Sequence, residues 1–285
     1  MSETLTRVAV AAVGIPIAVA AIFFGGWILA ALLATIAALA AGEMFRMAER
    51  KGPRPLRSFG SAAAAAAVLI AASRPGLGFA NPAFGWLLVV LLVGAAALSI
   101  WTRGTEGEPL LSVSVTVFGA LYTGLLLCTA LFLRHLPGNA GAWHGTALLF
   151  VPVLLTWTSD TAAYFSGRAF GRRKLIPRVS PGKTVEGAAG ALLGTIAVSV
   201  AYTYLLARFP TYRIGMGEAV LLGAGMSIAA QLGDLAESLL KRDAGVKDSG
   251  TLLPGHGGAL DRFDSLLFTL PLAYAFLRYV VGAGA

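Results

Sequence analysis

The stretch GWLLVVLLVGAAALSIW, residues 85–101, decides the fold class, because it runs for seventeen residues without a charge. A helix needs about 17 to 25 mainly apolar residues to cross a bilayer. Similar stretches recur along the chain: 57% of its 285 residues are apolar and only 13% are charged, whereas soluble domains carry roughly a quarter charged residues. With a mean hydropathy of +0.77, the sequence predicts an integral membrane protein.

The pattern of apolar stretches predicts an all-α, polytopic chain with about nine transmembrane helices. We place these helices at about residues 8–24, 27–45, 58–73, 85–101, 110–133, 147–167, 187–207, 217–240 and 265–282. No internal repeat or long linker is evident, so we expect one membrane domain over 1–285, with less distinctive helices at about 1–145 and the polar motifs at 146–285. The single cysteine, Cys128, excludes an intramolecular disulfide.

The distribution of positive charge predicts the orientation. With nine spans, the N-terminus and four loops share one face, and that face holds 17 of the 22 Lys and Arg residues. By the positive-inside rule this face, and with it the N-terminus, is cytoplasmic. For the loop at 46–57, this topology signal together with attraction to anionic headgroups is one interpretation, and a further role of the loop is an equal alternative. Its basic residues are Arg46, Arg50, Lys51, Arg54 and Arg57.

Acidic residues on the sixth and eighth predicted spans are candidates for a functional site, because acids are costly in a membrane and often mark such sites. On the sixth, Thr156, Asp160 and Tyr164 follow at steps of four and share a helical face; a structural role for Asp160 within the bundle remains the alternative. The eighth carries a polar stripe toward its cytoplasmic end, formed by Gln231, Asp234, Ser238 and Lys241 with Glu237 beside it. A pair of Glu237 and Lys241 at the membrane interface would explain part of this stripe, but Asp234 lies nearly two turns deeper.

The stretch LLPGHGGALDRFDS, residues 252–265, is the most polar sequence next to an apolar helix. Asp261 and Asp264 are three residues apart, so they share a face or cap the first turn of the ninth helix. Capping would explain one acid, but not two acids together with Arg262 and His256. Glycines at 255, 257 and 258 allow backbone N–H groups to approach phosphate oxygens closely.

The residue types favour phosphoryl transfer with a hard cation. Carboxylates without nearby His or Cys suit Mg²⁺, which is usually held by one or two carboxylates plus substrate phosphates. The three histidines are too scattered for zinc. Lysines and arginines at 241, 242, 247 and 262 supply partners for phosphate oxygens. In SPGKTVEG, residues 180–187, Gly182, Lys183 and Thr184 resemble the end of a Walker A loop, but Pro177 replaces the required glycine and no strand is predicted before it, so this is not a P-loop.

The segment SLLKRDAGVKDSGTLLPGHGGALDRFD, residues 238–264, resembles the signature of the phosphatidate cytidylyltransferases, the CDP-diacylglycerol synthases. One departure is Ala259, where a larger aliphatic residue is usual. SPGKTVEG resembles a second block of that family, with Gly182 in place of a more familiar Lys or Asn, and Asp160 also resembles a family position. The matching signature positions are Ser238, Lys241, Arg242, Lys247, Asp248, His256, Gly257, Gly258, Asp261, Arg262 and Asp264.

The resemblance implies conversion of CTP and phosphatidate to CDP-diacylglycerol and pyrophosphate by a membrane-embedded homodimer that uses a divalent metal. Mg²⁺ is expected, with Mn²⁺ or a monovalent companion such as K⁺ as further candidates. No nucleic-acid partner is expected. The composition suits a bacterial inner membrane, with the active site facing the cytoplasm.

Each site residue receives a predicted role on this basis. Asp234 and Asp261 are the first-choice metal ligands, and Asp160 and Asp264 are secondary candidates. The predicted substrate-binding residues are Ser180, Lys183, Thr184, Lys241, Arg242, Gly257 and Gly258. The predicted catalytic residues are Lys247, Asp248, His256, Asp261, Arg262 and Asp264, with His256 orienting a phosphate or the leaving pyrophosphate.

Three alternatives remain open. A CTP-dependent lipid kinase and a cytidylyltransferase for another lipid phosphate need similar groups. An ion-coupled transporter would also place acids in the membrane, although repeated halves and broken midplane helices, common in transporters, are not evident.

Overall fold

A computed structural model describes residues 3–136, 141–207, 213–252 and 257–282, with side chains from residue 12 onward. Each of the nine predicted stretches is helical over most of its length. In chain order the helices are α1 (Glu3–Phe24), α2 (Gly26–Glu49), α3 (Arg57–Ser73), α4 (Ala83–Thr102), α5 (Pro109–Ala120), α6 (Thr129–Arg134), α7 (Ala142–Phe170), α8 (Val185–Leu206), α9 (Met216–Asp243) and α10 (Leu260–Ala275). A short 3₁₀ helix covers Pro75–Ala80, and π-helical turns cover Leu121–Leu125 and Phe276–Val281.

Within the described ranges, seven helical segments are long and apolar enough to cross a membrane. They are Gly26–Glu49, Ala83–Thr102, Pro109–Arg134, Ala142–Phe170, Val185–Leu206, Met216–Asp243 and Leu260–Val281. Two further apolar helical segments are Ala12–Phe24, the part of α1 with described side chains, and the shorter helix Arg57–Ser73. The chain is therefore an integral membrane protein built almost wholly of helices, as its composition predicts.

One part of the 168–186 loop differs from the prediction. Lys174–Ile176 (β1) and Ser180–Thr184 (β2) form an antiparallel hairpin that leads directly into α8. The expectation that no strand precedes Lys183 is therefore wrong. Glu186 stabilises the base of the hairpin, because its carboxylate accepts hydrogen bonds from the backbone N–H groups of Arg172 and Arg173 at 3.0 to 3.3 Å.

The Cα positions form two compact units. The first comprises Met1–Phe132 and Leu240–Phe263, and the second comprises Leu133–Leu239 and Asp264–Ala285. The segment 240–263, which carries most of the signature, thus belongs with the N-terminal helices. These units divide the chain differently from the predicted portions 1–145 and 146–285.

Small residues allow close helix packing in the first unit, where α2 packs on α3 and both contact α5. Ala64, Ala67 and Ala71, from the alanine-rich stretch of α3, are buried. A Cβ at Gly60 would lie 2.5 Å from the Phe45 ring, and a Cβ at Gly124 would lie 2.4 Å from the Ala64 carbonyl oxygen. Such contacts are typical of membrane helices, which associate by packing small residues.

The second unit is organised around α7 and α8, which pack together extensively. Gly187, Gly190 and Gly194 of α8 face α7 so closely that an added Cβ would meet α7 atoms at 2.0 to 2.9 Å. On the same unit, Gly233 of α9 lies against the backbone of Asp264 and Ser265. These glycines bring the polar residues of α7, α9 and α10 into neighbouring positions.

Candidate functional site

A cavity of about 510 Å³ lies within the second unit. It is lined by α7, by the end of the β1–β2 hairpin and by α8 and α9. Its polar lining includes Asp160, Tyr164, Arg168, Lys183, Gln231 and Asp234. The two polar helices and the 180–187 block identified from the sequence therefore converge on one cavity.

Lys183 and Asp234 form the central ion pair of this cavity. The Lys183 Nζ lies 2.6 Å from Oδ2 of Asp234, and their side chains are 24% and 34% exposed. The other Asp234 oxygen accepts a hydrogen bond from the Ser238 hydroxyl at 3.2 Å, one helical turn along α9. The ammonium of Lys183 compensates Asp234 while both groups stay accessible from the cavity.

Asp160 adds negative charge to the same region. Its carboxylate is repelled by Asp264 and Asp234 and attracted by Lys183. Arg168 lines the cavity too, and its guanidinium donates to the Tyr164 hydroxyl at 3.0 Å. Thr156, on the predicted face with Asp160, instead shares a hydrogen bond of 3.0 Å with Thr269 in the buried interior.

The donor set of this group fits a hard cation, because three carboxylates interact there and Mg²⁺ prefers such oxygens. The described part of the chain contains no group of three or more His, Cys, Asp or Glu side chains arranged to hold a metal by themselves. A Mg²⁺ ion would therefore need water and substrate phosphates for most of its coordination positions.

In the first unit, Asp261 is the centre of a hydrogen-bond network. Its Oδ1 accepts from the Lys241 ammonium at 2.7 Å, and its side chain is only 5% exposed. Its Oδ2 accepts from the Ser249 backbone N–H and hydroxyl, both at 2.9 Å, and from the Gly258 N–H at 2.7 Å. The last bond caps α10, since helices begin with unpaired N–H groups.

Glu43 of α2 also binds the signature segment, at the start of α10. It is 1% exposed, and its carboxylate accepts from the N–H groups of Ala259 and Leu260 at 3.0 and 2.8 Å and from the Ser249 hydroxyl at 2.9 Å. Ser249 thus lies between the carboxylates of Glu43 and Asp261, and its single hydroxyl proton is shared between them or donated to one at a time. The N-terminus of α10 is a favourable place for both negative charges.

Three glycines of the signature segment are required by this packing. A Cβ on Gly258 would lie 2.3 Å from a Glu43 oxygen, and one on Gly250 would lie 2.6 Å from the other. Gly257 adopts a φ of +85°, which other residues rarely tolerate, and its missing Cβ leaves room for Asp261. The predicted phosphate-binding glycines 257 and 258 therefore also have a structural reason.

The remaining predicted site residues have separate positions. Lys247 and Asp248 line a second cavity, in the first unit, and Arg242 donates to the Val246 carbonyl at 3.3 Å. Thr184 caps α8 by accepting the Gly187 N–H at 3.1 Å. Ser180 begins β2, opposite Ile176, and Arg262 is exposed in the first turn of α10. His256 and Gly255 lie outside the described residues.

Two residues of this network escaped the sequence analysis. Glu43 is an acid within the predicted span 27–45, and the rule that drew attention to Asp160 applies to it equally. Ser249 follows the Lys247–Asp248 pair but carries no distinctive signal of its own. Glu237, interpreted as one half of an interface pair, is completely buried, which does not suit a side chain that extends to the membrane surface.

Together the fold and the site define a class of helical membrane protein in which carboxylates and lysines meet in a polar cavity. The sequence model of the cytidylyltransferase family matches residues 5–280. The chain belongs to this family.

Two of the similar proteins are named phosphatidate cytidylyltransferase, and a third is named as uncharacterized. The chain is 33% identical to a phosphatidate cytidylyltransferase of Synechocystis over 95% of both chains. It is 40% identical to the phosphatidate cytidylyltransferase of Bacillus subtilis over 165 residues, or 58% of each chain. A protein of Escherichia coli named uncharacterized protein YnbB is also 40% identical, over 67% of this chain and 64% of the relative. The last two matches thus span less than two thirds of those relatives.

Proposed function

We propose that the protein transfers CMP from CTP to phosphatidate, which yields CDP-diacylglycerol and pyrophosphate. The observation that carries this proposal is the cavity of the second unit, where Asp160, Lys183 and Asp234 line one space in a chain of the cytidylyltransferase family. The names of the Synechocystis and Bacillus subtilis relatives support the choice of substrates.

The proposed reaction is an in-line displacement at phosphorus. An oxygen of the phosphatidate monoester forms a bond to the α-phosphorus of CTP, while the bond from that phosphorus to the oxygen bridging the β-phosphate breaks. The electron pair leaves with pyrophosphate. The attacking phosphate is already anionic, so no strong general base is needed, and the work of the protein is to bring together two anionic substrates.

Lysines and arginines would perform that work. Lys183 stands in the cavity of the second unit, and Lys241 lies beside Asp261 in the first. On binding of the substrates we expect both ammonium groups to turn from the carboxylates toward phosphate oxygens, which frees the carboxylate oxygens. Arg242, Lys247 and Arg262 are further proposed partners of the phosphates, and His256 of the leaving pyrophosphate.

In the second unit, Asp234 would be the first ligand of Mg²⁺, with Asp160 or Asp264 as a second ligand. Asp261 is a separate candidate ligand in the first unit. Mg²⁺ would neutralise charge that develops on the reacting phosphates. Mn²⁺ as a substitute and K⁺ as a companion belong to the same proposal. The support for these ligands is the chemistry of their oxygens, together with the excess of carboxylates around Asp160.

We also propose that all nine helical stretches cross the membrane, with the N-terminus and both polar cavities on the cytoplasmic side. The excess of Lys and Arg on the corresponding loops supports this orientation. Cysteine labelling would test it, because the native thiol of Cys128 is buried. A thiol introduced at Lys51 should be labelled by an impermeant reagent only in inside-out vesicles.

A bacterial inner membrane and a homodimer complete the proposal. The bacterial origin of the relatives supports the location, and the homodimer rests on the family resemblance alone. Chemical crosslinking in membranes followed by mass measurement of the purified protein would test the dimer.

One assay tests the reaction. Purified protein receives Mg²⁺, CTP labelled separately at the α- or γ-phosphate, and phosphatidate. Transfer of the α-label to lipid with release of labelled pyrophosphate supports the proposal. Transfer of only the γ-label would make the protein a lipid kinase, and transfer to a different lipid phosphate would change the substrate. If CTP is not consumed, the proposal fails and ion transport becomes the next activity to test.

A further inference from the structure

The first unit contains a second cavity, of about 520 Å³, between the end of α2 and residues 246–252. The residues of interest in its lining are Arg46 of α2, Arg50 at the C-terminal cap of α2, and Lys247, Asp248 and Ser249 of the signature segment. Cavities of roughly 300 to 1,000 Å³ are typical of small-molecule sites. The N-terminal helices, which carry no signature, therefore contribute two cations to a cavity whose opposite wall is the signature itself.

The charges in this cavity are unbalanced. Three cations face one carboxylate, that of Asp248. Arg50 follows Arg46 by four residues and keeps helical backbone angles, so both side chains lie on the same side of the chain and line the cavity. Like charges gathered in one cavity repel one another, and the arrangement is stabilised when an anion enters it.

These three cations also lack the protein partners that neighbouring cations have. Lys51 pairs with Asp243, Arg57 with Glu49 and Lys241 with Asp261. For Arg46, Arg50 and Lys247, no carboxylate oxygen lies within 4.0 Å of the charged nitrogens anywhere in the described ranges. What distinguishes Arg46, Arg50 and Lys247 is that these three cations converge on one cavity.

We propose that this cavity binds a phosphate group of a substrate, with Arg46, Arg50 and Lys247 as its cations. The guanidinium groups present paired N–H donors that match phosphate oxygens. The proposal rests on the proposed function for the source of the phosphate, which is either the triphosphate of CTP or the monoester of phosphatidate. It gives the N-terminal half of the chain a direct part in substrate binding.

The test compares the Arg46→Gln/Arg50→Gln double variant with Arg54→Gln. Arg54 lies in the same basic loop and is exposed, but it does not line the cavity, so its loss controls for charge near the membrane. Equilibrium binding of CTP, of pyrophosphate and of a water-soluble short-chain phosphatidate is measured with the purified full-length proteins, without turnover. Thermal unfolding in the same detergent checks that each variant is folded.

We expect the double variant to bind one class of ligand about 10- to 100-fold more weakly, as expected for the loss of charged hydrogen bonds. Weaker binding of CTP and pyrophosphate identifies the triphosphate, and weaker binding of phosphatidate identifies the lipid. Arg50→Lys keeps the positive charge but loses the paired N–H donors of the guanidinium, so it should weaken binding of the same ligand by a smaller factor. This variant replaces the double variant in the test if the double variant is unstable. The proposal is overturned if all three ligands bind within two-fold of wild type, or if Arg54→Gln weakens them equally.

The two proposals fail in different ways. If the wild type binds these ligands but makes no CDP-lipid, the proposed reaction is wrong while the phosphate site stands. If CDP-lipid forms and the double variant binds and turns over like wild type, the site is wrong while the reaction stands.

Discussion

Replacement of Glu43 by Gln tests whether α2 positions the signature segment. The carboxylate accepts three hydrogen bonds at 2.8 to 3.0 Å and is 1% exposed. Gln keeps the shape but presents an NH₂ group in place of one oxygen, so at least one buried donor loses its acceptor. A buried hydrogen bond to a charged group contributes about 1.5 to 3 kcal/mol. We therefore expect the free energy of unfolding to fall by about 2 kcal/mol.

The same change should reduce activity. If the lost contact lets Ala259 and Leu260 move, Lys241 and Asp261 lose their alignment in the transition state. A loss of about 2 kcal/mol there corresponds to roughly a 30-fold lower kcat/KM. Glu43 contacts the signature segment and is not a proposed ligand of the substrate, so we expect kcat to change more than the KM for CTP. We expect Glu43→Asp to restore little activity, because its shorter side chain cannot reach all three donors.

CDP-lipid formation by purified variants and their thermal unfolding in detergent would measure both effects. Glu49→Gln is the matched control on the same helix, because Glu49 forms a partly exposed pair with Arg57, and such pairs contribute about 0 to 1 kcal/mol. The positioning role is refuted if Glu43→Gln retains wild-type kcat and stability, or if Glu49→Gln is equally damaging.

Three further predictions concern Asp234 in the cavity of the second unit, Gly258 beside Glu43, and the proposed metal. Asp234→Asn should lower CDP-lipid formation at least 100-fold without loss of membrane insertion, whereas Asp243→Asn on the same helix should remain active; equal rates would remove Asp234 from the mechanism. Gly258→Ala should lower stability by about 1 to 3 kcal/mol, because its Cβ would overlap Glu43, while Gly85→Ala, with open space around it, should unfold like wild type. Removal of divalent ions with EDTA should abolish turnover and Mg²⁺ should restore it, and activity that persists in EDTA would argue against the proposed metal.

The sequence predicted the helices well, because each needs only a long apolar stretch. It predicted their ends less well: α2 continues to Glu49 and α9 to Asp243, since Arg, Glu, Lys and Met favour helix beyond the apolar region. The β1–β2 hairpin had no periodic signal. Its base depends on contacts between Glu186 and backbone N–H groups 13 and 14 residues away.

Individual residues of the candidate site could be predicted from the sequence, but the contacts between them could not. Asp160, Asp234 and Lys183 stood out because charges are rare in this chain, yet their convergence on one cavity depends on the packing of α7, α8 and α9. Glu43 was missed because the groups that explain it lie more than 200 residues further along the chain. Single-residue patterns do not contain such distant partners.

The division of the chain into two interleaved units has a consequence for biosynthesis. Ser249 leaves the ribosome 206 residues after Glu43, which at about 5 to 20 residues per second takes roughly 10 to 40 s. During that interval α2 has been made, but none of the groups that donate hydrogen bonds to the Glu43 carboxylate exists. The nascent helix therefore carries an uncompensated acid, which water, lipid headgroups or the insertion machinery must solvate until the signature segment arrives.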